Sequence, residues 1–158
     1  MTATQAPPSR FPWPPVIYLA GVAVAILLQW FWPLPWIGSP LSDLLFAIGW
    51  LLAAGAVLID VSAIRTLSRA GTTVMPNRAS EHLVTGGPFA ISRNPIYLGN
   101  TMLMVAIGFI AGSLWFVILA PVAALLTTRL AIVPEERHLF ERFGKRYRDY
   151  QKKVRRWI

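Results

Sequence analysis

Two short polar groups interrupt an otherwise apolar chain. One runs from Thr85 to Gly99 and reads TGGPFAISRNPIYLG; the other is Pro134-Glu135-Glu136-Arg137-His138. Arg93 offers a rigid fork of donors suited to a carboxylate. The Gly86-Gly87-Pro88 turn lets backbone come close to a ligand. Tyr97 adds a ring face and a hydroxyl. Glu135 and Glu136 are adjacent carboxylates that are costly to desolvate unless a cation meets them. On a helix they point about 100° apart, so one can face a ligand while the other pairs with an arginine. The two groups together suit a small molecule bearing both a cation and a carboxylate. The same residues could also pair among themselves simply to stabilise a helix end. His82 and His138 are far apart in sequence, and no metal site is expected. The absence of cysteine excludes disulfides and thiolate catalysis.

What positions these groups is set by composition. The chain has 158 residues, enough for one domain, which we take as 1–158. It is 55% hydrophobic and 14% charged, with a mean hydropathy of +0.52. Soluble domains carry about 25% charged residues, so this is a membrane-protein composition. The expected fold is all-α: a multi-pass helical membrane protein with four spans, at about 14–32, 44–64, 96–111 and 114–133. An amphipathic interfacial helix is expected to follow them. Pro14 and Pro15 suit the start of the first helix, and Trp30, Phe31, Trp32 and Trp36 form an interfacial belt at its far end. No small-residue cleavage motif follows the first apolar run, which reads as an uncleaved span. Gly49, Ala53, Ala54 and Gly55 give the second span a small-residue face for close approach. Asp60, an acid within that span, is a functional candidate by default, with helix packing as the structural alternative. The apolar run from Ile96 to Val133 is too long for one crossing. Ala111-Gly112-Ser113 breaks it into a hairpin, and Pro121 is expected to kink the second arm.

Residues 65–95 read as a polar loop, turning at Ala70-Gly71-Thr72 and at Gly86-Gly87-Pro88. In the 134–158 segment, Leu139, Phe143 and Tyr147 recur at helical spacing among basic residues, with Gly144 as an interruption. The net charge is +8, and nine of the fifteen Lys and Arg residues lie after Glu135. Because the basic residues alternate with apolar spans, anionic lipid headgroups are the expected partner and nucleic acid is not. Every Lys and Arg falls in 1–12, 65–95 or 129–158, and none in the 33–43 or 111–113 turns. The positive-inside rule then places both termini, and both polar groups, on the cytoplasmic side. We expect an integral protein of a prokaryotic cytoplasmic membrane.

The sequence LVTGGPFAISRNPIYLG, followed one hairpin later by EERHLFERFGKRYRDY, resembles the isoprenylcysteine carboxyl methyltransferase and phospholipid methyltransferase superfamily. The resemblance covers about residues 44–157. Arg93, Asn94, Pro95 and Tyr97 match its first motif, and Glu135 and Glu136 its second. It implies a helical membrane fold that binds S-adenosylmethionine at the cytoplasmic face and takes lipophilic substrates from the bilayer, an isoprenylcysteine-like carboxylate or an amino-phospholipid. Arg93 and Glu136 are the implied catalytic residues. Gly55, Gly87, Pro88, Phe89, Arg93, Asn94, Pro95, Tyr97, Leu98, Glu135 and Glu136 are the implied cofactor contacts. Two positions depart from the pattern. Asn94 replaces the histidine usual in the isoprenylcysteine branch and cannot take a proton at neutral pH. Ala53-Ala54-Gly55 stands where the phospholipid enzymes carry Gly-x-Gly. A non-catalytic lipid-binding scaffold and an NADPH-dependent sterol-type reductase are the rival readings.

Overall fold

The computed structural model describes residues 12–71 and 82–158. Described residues form six α-helices: α1 (Trp13–Phe31), α2 (Leu41–Arg69), α3 (Pro95–Ala111), α4 (Leu114–Thr127), α5 (Val133–Phe143) and α6 (Lys145–Lys153). A 3₁₀ turn at Gly87–Ala90 precedes α3, and a π turn at Thr128–Ile132 joins α4 to α5. The expected turn at Ala70-Gly71-Thr72 is described only as far as Gly71.

The helices are arranged by the bilayer rather than by water. α1, α2 and the continuous helix Leu114–Phe143 are long and apolar enough to cross a membrane, and α3 is a shorter apolar helix. Their outward faces carry Leu19, Trp30, Leu51, Leu58 and Leu125, all exposed. The inward faces carry Ala25, Ala56, Ala63, Ala106, Ala120 and Ala123, all buried. With lipid as apolar as the protein, helices associate by close packing, and small residues permit it. α2 lies along α3, while α4 packs on both α1 and α3. Ile17, Tyr18, Met104 and Phe116 fill the space between α1, α3 and α4.

Glycine matters where backbones meet. A Cβ on Gly49 would lie 2.8 Å from Ile110 Cγ1 and 3.1 Å from the Ala106 carbonyl oxygen. Gly49 therefore sets how closely α2 approaches α3. Gly112 ends α3 in the left-handed conformation, with its N–H bonded to the Gly108 carbonyl, and turns the chain into α4 as the sequence implied.

Two boundaries differ from expectation. α2 continues to Arg69 and places Arg65 and Arg69 on its last turns rather than in a loop. No residue before Gly71, at φ +64°, breaks the helix. The fourth span does not stop at 133 either, because its helix runs on to Phe143. α4 passes through Pro121 without interruption, and the departure from α geometry falls at Thr128–Ile132. Pro134 supplies the reason: it cannot donate to the carbonyl four residues back and crowds it, and a π turn accommodates both effects. Gly144, at φ +51°, separates α5 from α6 as expected.

Gly49→Val is expected to lose about 1–3 kcal/mol of stability by overpacking the α2–α3 seam. Gly38→Ala, with nothing within 4 Å of the added atom, is expected to change it by less than about 0.5 kcal/mol. Thermal unfolding of the detergent-solubilised protein checks both.

Candidate active site

The loop before α3 is shaped by its contacts with α2 and the C-terminal segment. Gly87 adopts φ +60°, and a Cβ there would sit 3.0 Å from Thr66 Oγ1 near the end of α2. Glycine therefore lets the turn lie against that helix. The 3₁₀ turn carries Pro88 and Phe89, and its Phe89 carbonyl accepts the Tyr150 hydroxyl at 2.5 Å. Ser92 is buried; its Oγ accepts the Asn94 N–H at 3.1 Å and donates to the Arg156 carbonyl at 3.4 Å. Asn94 Nδ2 donates to the same carbonyl at 2.9 Å, and the Arg93 N–H donates to the Arg155 carbonyl at 3.0 Å. Pro95 then starts α3, where its missing N–H costs nothing. The Leu98 N–H bonds the Asn94 carbonyl at 3.0 Å. Asn94 is thus a structural tie between loop and C-terminus.

These ties aim Arg93 inward at α5. Its Nη2 lies 3.1 Å from Glu136 Oε1, with the side chains only 11% and 12% exposed. Arg156 binds the same carboxylate from the other side, Nε to Oε1 at 3.0 Å and Nη2 to Oε2 at 2.7 Å. Glu136 is therefore enclosed by two guanidinium groups. Its neighbour points elsewhere, as helical geometry requires: Glu135 Oε2 accepts the Tyr97 hydroxyl at 3.2 Å. The pair is split, one carboxylate held by arginines and the other by a phenol.

Electrostatics follow from this enclosure. The Glu136 hydrogen bond raises the Arg156 pKa further. Burial pushes the Tyr150 phenol up to about 12, against the pull of Arg93 in the other direction. Burial, and then the Glu136 charge, raise Tyr147 above the ordinary tyrosine range. Both phenols stay protonated, and Tyr150 remains the donor to Phe89. Among the described residues, three buried nitrogens have no hydrogen-bond partner: Nε and Nη1 of Arg93, and Nε2 of His138.

The structure thus brings together Arg93, Asn94, Pro95, Tyr97, Glu135 and Glu136, with Pro88 and Phe89 on the adjoining turn. Gly55 is placed elsewhere. It faces Met102 Cε of α3 at 3.7 Å, and lies about 16 Å along α2 from Thr66, at 1.5 Å per residue. Nearer the site, Asp60 of α2 lies against Gly99 of α3, and Thr66 against Gly87 of the loop. Arg156, Tyr150 and Ser92 were not foreseen. Arg156 reads in sequence as one more cation in a basic tail, and nothing local signals that it folds back.

A family model described as phospholipid methyltransferase matches residues 44–146, from α2 into α6. The chain belongs to the phospholipid methyltransferase family. The matched span holds Arg93, Tyr97, Glu135 and Glu136, whereas α1 and Arg156 lie outside it. A methanethiol S-methyltransferase from Pseudomonas deceptionensis is 30% identical over 148 residues, which cover 86% of this chain and 55% of that protein. The chain thus spans about half the length of this relative within the phospholipid methyltransferase family. No solved structure matches the chain.

Removing the shared carboxylate leaves two guanidinium groups without a counter-charge, one of them buried. Glu136→Ala is expected to cost about 3–5 kcal/mol, as when one partner of a buried pair is deleted. Tyr150→Phe loses one hydrogen bond and about 1 kcal/mol. Unfolding midpoints in one detergent, compared across both variants, check the order.

Proposed function

We propose that the protein transfers a methyl group from S-adenosylmethionine to a lipophilic nucleophile at the cytoplasmic face of the membrane. The observation that carries this reading is Arg93, whose Nε and Nη1 are buried at the site and lack an acceptor among the described residues. A buried guanidinium left this way is costly, and a ligand carboxylate would relieve the cost. S-adenosylmethionine carries a carboxylate, an ammonium, a sulfonium and a ribose diol. The donor set fits it: Arg93 would hold the carboxylate, and Glu135, which pairs with no arginine among the described residues, would hold a cationic or hydroxyl end. Glu136 is then a positioning residue that fixes Arg93, since both its oxygens are engaged by arginines. Phe89 and Tyr97 would flank the ligand. When bound, the cofactor supplies an electrophilic methyl group open to in-line displacement. The chain contributes positioning and exclusion of water.

Family membership supports methyl transfer, and the name of the relative puts a sulfur nucleophile among the acceptors. The cytoplasmic orientation rests on the distribution of Lys and Arg, which suits four crossings by α1–α4. Arg142, Arg146, Lys152 and Lys153 on α5 and α6 suit anionic headgroups at that surface.

Arg93→Ala and Glu135→Gln should each weaken S-adenosylmethionine binding at least ~10-fold, the loss expected for one charge-assisted hydrogen bond. Calorimetric titration in detergent measures this. Transfer of labelled methyl into a lipid extract and a panel of thiols, with products identified by mass, reads the reaction. Wild-type affinity in both variants would remove the proposal.

A further inference from the structure

The bundle holds a second group of polar side chains that cofactor binding leaves unused. Tyr18 of α1 is 8% exposed. Its hydroxyl lies 2.6 Å from Thr101 Oγ1 and donates to the Tyr97 carbonyl at 3.1 Å. The Tyr97 side chain in turn reaches Glu135, so the group is continuous with the site. Thr127 of α4 is fully buried and approaches the Tyr18 phenol, yet its Oγ1 has no well-formed hydrogen bond. Asp60 of α2 lies against α3 at Gly99, where any Cβ would overlap its carboxylate. Asp60 Oδ1 is buried without a partner, and among the described residues the side chain forms no ion pair. Four helices thus contribute to one polar cluster, and among the described residues two of its oxygens, Asp60 Oδ1 and Thr127 Oγ1, lack a hydrogen-bond partner. Each unpaired buried polar atom costs about 1–3 kcal/mol, more for a charge. Such a group inside a membrane span is kept for function.

Resting on the methyl-transfer reading above, we propose that this cluster is the acceptor side of the active site, and that Asp60 takes the proton of a small uncharged thiol as its sulfur is methylated. The proton balance requires a base. A sulfur–carbon bond forms, the carbon–sulfonium bond breaks and leaves a thioether, and the S–H proton passes to the Asp60 carboxylate and then to water. The surroundings select this acceptor. A carboxylate acceptor would meet the Asp60 charge, which no ion pair among the described residues offsets. An amino-phospholipid would have to draw its phosphate inward past Arg65, about 7 Å along α2 from Asp60. A small thiol enters from the apolar phase and carries its proton with it.

The test compares two acceptors in the full chain: an alkanethiol, protonated at neutral pH, and thiophenol, largely ionised there. Asp60→Asn should lower alkanethiol turnover about 100-fold or more, the contribution of a general base. It should leave thiophenol turnover within about threefold and S-adenosylhomocysteine affinity within about twofold. Gly99→Ala, which keeps the carboxylate but displaces it, should show the same selective loss and stands in if Asp60→Asn does not fold. Equal loss with both thiols, or no loss, overturns the assignment. So does a wild type that binds the cofactor and methylates a lipid but neither thiol, an outcome that leaves the broader function standing. A wild type that does not bind S-adenosylmethionine overturns both.

Discussion

The site depends on one carboxylate held between two cations. Glu136 leaves the membrane helix at α5 and meets Arg93 from the loop before α3 and Arg156 from the last residues of the chain. In a low-dielectric setting neither the carboxylate nor Arg93 is tolerable alone. Their pairing therefore joins three parts of the chain that are far apart in sequence. The backbone bonds from Ser92, Arg93 and Asn94 to Arg155 and Arg156 follow the same seam. This clamp leaves Glu135 out, and so leaves one acid available to a ligand.

The bilayer explains why such a seam is needed. Apolar helices pack no better on one another than on lipid tails, apart from close contact at small residues. Gly49 against α3 and the buried alanines supply that contact. Such seams orient helices but do not bind polar ligands. Chemistry needs polar groups, and these collect where the helices reach the interface and where the Tyr18 and Thr101 hydroxyls meet each other and the Tyr97 carbonyl. The π turn at Thr128–Ile132 lies just before Glu135, so its extra residue per turn sets which way the acidic pair points.

Much was legible from the residues alone. Apolar runs of helical length, interrupted by Gly and Pro, mark the apolar helices because the bilayer requires every backbone group to be satisfied within its own segment. The Arg-Asn-Pro-x-Tyr and Glu-Glu groups were recognisable by spacing across one hairpin, and a 100° step already implied that the two acids would separate. Asp60 stood out as a charge where hydrocarbon was expected. What stayed hidden depended on distance through space. Arg156 differs in no local way from its basic neighbours, and Gly55 looks as suited to a ligand as to a helix seam. The end of α2 at Arg69 depended on Gly71 adopting a left-handed turn.

The sequence by itself therefore determined the membrane class, the helices and the residue types able to bind a zwitterionic ligand, because hydropathy and charge are properties of segments. Tertiary structure alone decided which glutamate is saturated, which arginine nitrogens are left without acceptors, and that Asp60 meets Gly99. Those are properties of contacts between segments, and no local pattern encodes them.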